Sequence, residues 1–160
     1  MRVRAAGSSA RNVADLRGAR FAYTDPLSLT GYLHPRRLLT DAGTAPEAFF
    51  ASTFFTHGHD LSIEAVRRGI ADAASVDSLV FDYLVQRSPG EVEGLRVIDR
   101  SRPYPIPPLV VPARVPAEDV VTLREALVSF GQDERGRALL HNLQIERFER
   151  PDEEAYGRLE

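Results

Sequence analysis

Apolar positions fall in short blocks, and the spacing within each block predicts an element. Residues 20–24 begin with Arg20-Phe21-Ala22-Tyr23, a short apolar run that predicts a strand. After it, Leu33, Arg37, Leu38 and Ala42 recur at helical spacing until Gly43, a residue suited to a helix C-terminus. Pro35 falls in the first turns of that helix, where its missing N–H does least harm. Residues 49–56, FFASTFFT, are aromatic and β-branched and short enough for a buried strand. Ile63, Val66 and Ile70 then mark one face of a second helix that ends near Gly69. Residues 73–76 predict a third strand, and Asp77-Ser78 opens a third helix reaching about Gln86. After the Ser88-Pro89-Gly90 turn, residues 95–98 predict a fourth strand. Strand and helix alternate without hairpin signals, which predicts an α/β fold: a mainly parallel sheet with helices on both faces.

The pattern changes at Arg102. Pro103, Pro105, Pro107 and Pro108 stiffen an extended segment that reads as a hinge or crossover, and residues 109–111 predict one more strand. Val120, Leu123, Leu127 and Phe130 mark an amphipathic helix. A further helix spans residues 133–141, with Ala138, Leu139 and Leu140 apolar. The expected organisation is a flexible lead-in over residues 1–15, an α/β lobe over 16–101 and a Pro-rich crossover over 102–112. C-terminal helices over 113–150 and a polar tail over 151–160 follow.

Composition narrows the chemistry. The chain has 160 residues and a net charge of −3, so no general attraction to nucleic acid is expected. All 20 basic residues are Arg, and Cys is absent, which excludes disulfides, zinc thiolates and cysteine nucleophiles. No cofactor lysine exists. The basic first dozen residues lack an apolar centre, so no complete secretory signal is read there.

Three strand-to-helix junctions carry the candidate chemistry: residues 25–31 (Asp-Pro-Leu-Ser-Leu-Thr-Gly), residues 57–60 (His-Gly-His-Asp) and Asp77-Ser78. In an open parallel sheet ligands bind beyond the carboxyl ends of the strands, so these junctions are expected on one rim. A helix start leaves backbone N–H groups unpaired, and its dipole favours an anion. Ser28 and Thr30 add hydroxyls, and Gly31 lets a ligand approach closely. His59 and Asp77 complete the expected set, with Tyr32, Asp60 and Ser78 as further possibilities. Plain capping accounts equally for a Ser, Thr or Asp at a helix start. No metal is expected, because a dinuclear hydrolase pattern needs another Asp and His where Leu61-Ser62 stand. A hydrolase triad lacks its Gly-x-Ser-x-Gly elbow.

These motifs, in this order and spacing, resemble the phosphate/phosphite/phosphonate-binding proteins of ABC importers, over roughly residues 16–145. The resemblance implies one lobe of a type II periplasmic binding protein, with no catalysis and no cofactor. It implies that Ser28, the Leu29 backbone and Thr30 hold an oxyanion, that His59 reaches it and that Asp77 contributes. It also implies an ABC permease as partner and a periplasmic or extracytoplasmic location. Family members have two lobes. This chain matches the second lobe and the C-terminal region that returns to the first, so its C-terminal helices are expected to meet a missing lobe or self-associate. Members that take aminoalkyl phosphonates carry an acidic residue in the return strand, where this chain has Pro107-Pro108. The alternatives are a ligand-sensing domain of a regulator and an enzyme on the same scaffold, such as a pyrimidine-precursor synthase.

Overall fold

A computed structural model describes residues 1–157, in two compact units that meet at Ser101 and Arg102. The first unit carries a five-stranded sheet of order β3-β2-β4-β1-β5. Its strands are β1 (Arg2–Ala5), β2 (Arg20–Tyr23), β3 (Ser52–Phe55), β4 (Ala73–Ser75) and β5 (Leu95–Asp99). β2 runs parallel to both β3 and β4. β1 runs antiparallel to both β4 and β5, so four strands point one way and β1 the other.

Helices cover both faces. The chain leaves β2 through a wide turn, Leu29–Leu33, that continues as α1 (His34–Asp41) and is followed by the short α2 (Pro46–Phe49). α3 (His59–Arg67) joins β3 to β4, and α4 (Ser78–Arg87) follows β4. Strand alternation divides the core. Phe21 and Tyr23 pack with Leu16, Leu39, Phe49 and Phe50 on the α1–α2 side. Ala22 and Ala74 pack with Val3, Ile63, Val66 and Phe81 on the α3–α4 side.

Three expectations are corrected. Residues 1–15 are no flexible lead-in: β1 is paired on both edges, and Val3 is wholly buried. Arg-Val-Arg-Ala hid the strand because its charges looked like solvent positions. Arg2 is instead buried and ion-paired with Asp99, its register partner on β5. Arg4 donates to the Ala5 and Ala6 carbonyls. Residues 49–56 are not a buried strand: Phe49 and Phe50 enter the core before it, and β3 is an edge strand with Ser52, Thr53 and Phe55 exposed. In the second unit, residues 109–111 form no strand among the described residues, and Leu109 and Val110 are exposed.

The second unit holds α5 (Ala117–Ser129), α6 (Glu134–Asn142) and α7 (Glu153–Gly157). Asp133 caps α6 by accepting from the Gly136 N–H at 2.6 Å. Where a polar tail was expected, α7 forms a short turn, and the Tyr156 hydroxyl donates to the Ile106 carbonyl at 2.8 Å. α5 buries none of its side chains fully.

Candidate functional site

The first junction begins where β2 gives way to Thr24, a residue only 4% exposed. Ser28 caps the following turn, its Oγ accepting from the Gly31 N–H at 3.0 Å. The Ser28 carbonyl accepts from both Tyr32 and Leu33, the second bond spanning five residues. Such widened turns recur at functional positions because they shift the hydrogen-bond ladder by one residue. The Leu29 and Thr30 N–H groups precede that ladder and have no partner among the described residues.

The second junction brings in His59, the first residue of α3. Its Nδ1 lies 3.0 Å from the Asp77 backbone N and 3.1 Å from Thr24 Oγ1. An amide N–H can only donate, so Nδ1 is an unprotonated acceptor and the neutral ring carries its proton on Nε2. Burial holds the His59 pKa below its ordinary value, while the Asp77 and Asp60 carboxylates pull the other way.

Asp77 belongs to the third junction and serves two elements. Its Oδ1 accepts from the Leu79 N–H at 2.8 Å, capping α4, and its Oδ2 accepts from the Thr30 hydroxyl at 3.2 Å. Just before it, the Ser75 hydroxyl donates to the Thr30 carbonyl at 2.7 Å. Ser28, Thr30, His59 and Asp77 are thus brought to one edge of the sheet, and direct bonds join Thr30, His59 and Asp77.

The other candidates differ. Gly31 makes no room for a ligand: a Cβ there would stand 2.4 Å from Thr24 Oγ1 and 2.5 Å from Thr24 Cβ. The space beside its Cα is filled by Thr24, and its N–H is taken by Ser28. Tyr32 is half-buried in an aromatic cluster, edge-on to Tyr23 at 5.0 Å and 5.1 Å from Phe55, with the Arg36 guanidinium over its ring. Burial pushes the Tyr23 hydroxyl up to about 12. Asp60 is exposed in the first turn of α3, and Ser78 is half-buried as the first residue of α4. Among the described residues no three His, Asp or Glu side chains gather as a metal site.

Sequence reasoning missed Thr24, Thr56, Ser62 and Ser75. Thr56 and Ser62 hydroxyls lie 2.6 Å apart, and Ser62 is 3.4 Å from Thr24 Oγ1. The one available signal was a polar residue on an apolar helix face, Ser62 beside Ile63 and Val66.

An α/β sheet with one reversed strand and its helix starts gathered at one edge is a lobe of the type II periplasmic binding-protein fold. The family model described as "ABC transporter, phosphonate, periplasmic substrate-binding protein" matches residues 2–156, and the chain belongs to that family. PhnD1 from Prochlorococcus marinus, solved with methylphosphonate, is 16% identical and superposes with a TM-score of 0.78. The match covers 99% of this chain and 62% of that one. A binding protein component of an ABC phosphonate transporter from Pseudomonas aeruginosa is 20% identical, also at 0.78, over 92% of this chain and 50% of its own. A Xanthomonas citri protein bound to ATP is 20% identical, with a TM-score of 0.72, over 99% and 62%. The chain therefore spans half to about three fifths of the length of these structures. Among the described residues no helix is long and apolar enough to cross a membrane.

Proposed function

We propose that this chain supplies one half of a binding site for a phosphorus oxyanion, a phosphonate, phosphite or phosphate, and captures it without chemistry for an ABC permease in the extracytoplasmic space. The observation that carries the reading is the pair of unpartnered N–H groups on Leu29 and Thr30, opening a helix beside the Ser28 hydroxyl. Donors and helix dipole there both favour an anion. Ser28 keeps its own proton to donate, since its oxygen only accepts from Gly31. His59 adds a neutral N–H. The Asp77 carboxylate repels a fully ionised ligand and accepts from one that keeps a proton, which favours protonated phosphorus oxyanions over sulfate.

Apolar side chains surround this edge: Leu27 (89% exposed), Leu61 and Leu79 all face solvent. Their exposure supports a reading in which a second surface closes over the bound anion. In the second unit Leu123 and Phe130 are likewise exposed, which supports packing of the C-terminal helices on a first lobe or on another copy. A monomer that binds no hydrophobic dye argues against that part.

The test of binding is calorimetry with methylphosphonate, phosphite, phosphate and sulfate, on the chain and on Thr30→Val. Hydrogen bonds to charged groups contribute on the order of 1.5–3 kcal/mol, so the variant is expected to lose about tenfold or more in affinity. Equal binding by both proteins removes the Thr30 hydroxyl from the site and leaves its backbone N–H, which valine retains, as the proposed contact.

A further inference from the structure

The network behind the anion edge bears on how His59 acts, and the inference rests on the reading of His59 as a ligand contact. Three geometric facts fix the ring. The Asp77 N–H points at Nδ1 from 3.0 Å. The Thr24 hydroxyl reaches the same atom from 3.1 Å. Thr24 is itself held from behind: its one hydroxyl proton is shared between Nδ1 and the Ser75 carbonyl, to which it donates at 3.3 Å, and the Ser62 hydroxyl lies 3.4 Å from its Oγ1. It is almost wholly buried and packed against Gly31, where an added Cβ would stand 2.4 Å from its Oγ1.

We infer that Thr24 is a positioning residue that, with the Asp77 amide, locks His59 as the neutral tautomer protonated on Nε2, so that His59 gives the ligand a directed hydrogen bond and no charge. A second proton on Nδ1 would face the Asp77 N–H head-on at hydrogen-bond distance. Protonation therefore breaks the bond that orients the ring. The groups that face His59 are Asp60 on its own helix, Asp77 from the start of α4 and the Met1 amino group beside β1. The two carboxylates favour the cation; burial and the amino group oppose it, and opposition prevails. A neutral donor leaves the Asp77 carboxylate as the one formal charge among the proposed contacts. Its preference for a ligand that keeps a proton then stays in force as the solution acidifies.

The experiment is long-range 15N–1H correlation NMR of the imidazoles in the ligand-free chain, with the His59 signals assigned by His59→Gln. The result expected is an Nε2–H ring with a titration midpoint below 6.5. Thr24→Val removes one donor to Nδ1 and is expected to raise that midpoint towards the ordinary value. Thr24→Ser is expected to restore it, which a loss of mere packing would not do. Calorimetry with methylphosphonate adds a second reading. The ratio of Thr24→Val to wild-type affinity cancels the ligand's own ionisation and is expected to shift in the variant's favour as pH falls towards the wild-type midpoint, because the variant gains the cation at a higher pH than the wild type. A wild-type ring protonated on Nδ1 at neutral pH, or a midpoint that Thr24→Val leaves unmoved, overturns the inference. Should Thr24→Val fail to fold, the wild-type tautomer and Thr24→Ser decide it. Should methylphosphonate not bind, the NMR result stands apart from the proposed function.

Discussion

Replacing Gly31 by Ala tests whether the site is organised around the Thr24–Gly31 contact. The backbone at Gly31 is not left-handed. In open space Gly→Ala at such a position stabilises by about 0.4–1 kcal/mol, because the unfolded chain loses freedom. Here the new methyl would stand 2.4 Å from Thr24 Oγ1, 2.5 Å from Thr24 Cβ and 3.0 Å from Ser28 Oγ. Real carbon atoms do not approach so closely, and Thr24 is a stiff, β-branched and buried side chain that cannot swing aside. Overpacking of this kind costs roughly 1–3 kcal/mol. Displacing Thr24 also weakens its bond to His59, a further loss of about 1 kcal/mol. The balance is a destabilisation of roughly 2 kcal/mol, which for a unit of this size lowers Tm by roughly 10 °C. The control is Gly90→Ala, whose added methyl meets nothing within 4 Å. Thermal unfolding followed by circular dichroism compares the two. If Gly31→Ala melts at or above Gly90→Ala, the close approach of Thr24 is refuted, and with it the account of Gly31 as a packing position.

Three further outcomes are expected. Asp77→Asn keeps a side chain able to cap α4 and removes the negative charge, so thermal stability should hold while calorimetric discrimination between phosphate and sulfate falls; unchanged discrimination would take Asp77 out of the selectivity argument. Asp99→Ala leaves the Arg2 guanidinium buried without its carboxylate and should cost about 3 kcal/mol or more in urea unfolding, whereas a loss below about 1 kcal/mol would mean that Arg2 is solvated. Because burial depresses the His59 pKa, the unfolded chain takes up that proton more readily; the His59 contribution is full above the ordinary value of 6.5 and declines as pH falls below it, so His59→Gln should flatten the pH slope of stability between about pH 7 and about pH 5.

The parallel half of the sheet was legible because its strands obey local rules. Phe21-Ala22-Tyr23 and Ala73-Ala74 are apolar on both faces, as strands covered by helices must be. Each helix after them opens at a residue type that caps. β1 was illegible because half of its four residues are Arg, and nothing local reveals that Asp99, nearly a hundred positions away, neutralises one of them. The misplaced strand at 109–111 is the converse case. Leu109-Val110-Val111 has strand propensity, but a strand exists only where a neighbour supplies backbone partners, and none does so among the described residues.

At the candidate site, positions were legible and partners were not. That Ser28, Thr30, His59 and Asp77 gather at one edge follows from βαβ topology, since every strand-to-helix junction in a parallel sheet lies at the same end. What each group does there depends on which hydroxyl it meets. A hydroxyl can donate or accept, so one Thr could serve a ligand, a cap or a neighbouring carboxylate. Thr30 is committed to Asp77, and Ser28 to Gly31. Only the unpartnered Leu29 and Thr30 amides could be anticipated from position alone, because the first N–H groups of any helix lack an internal partner. The tautomer of His59 was illegible for a related reason: the deciding neighbour is the Asp77 backbone N–H, a donor present at nearly every residue and therefore invisible in the pattern of side chains.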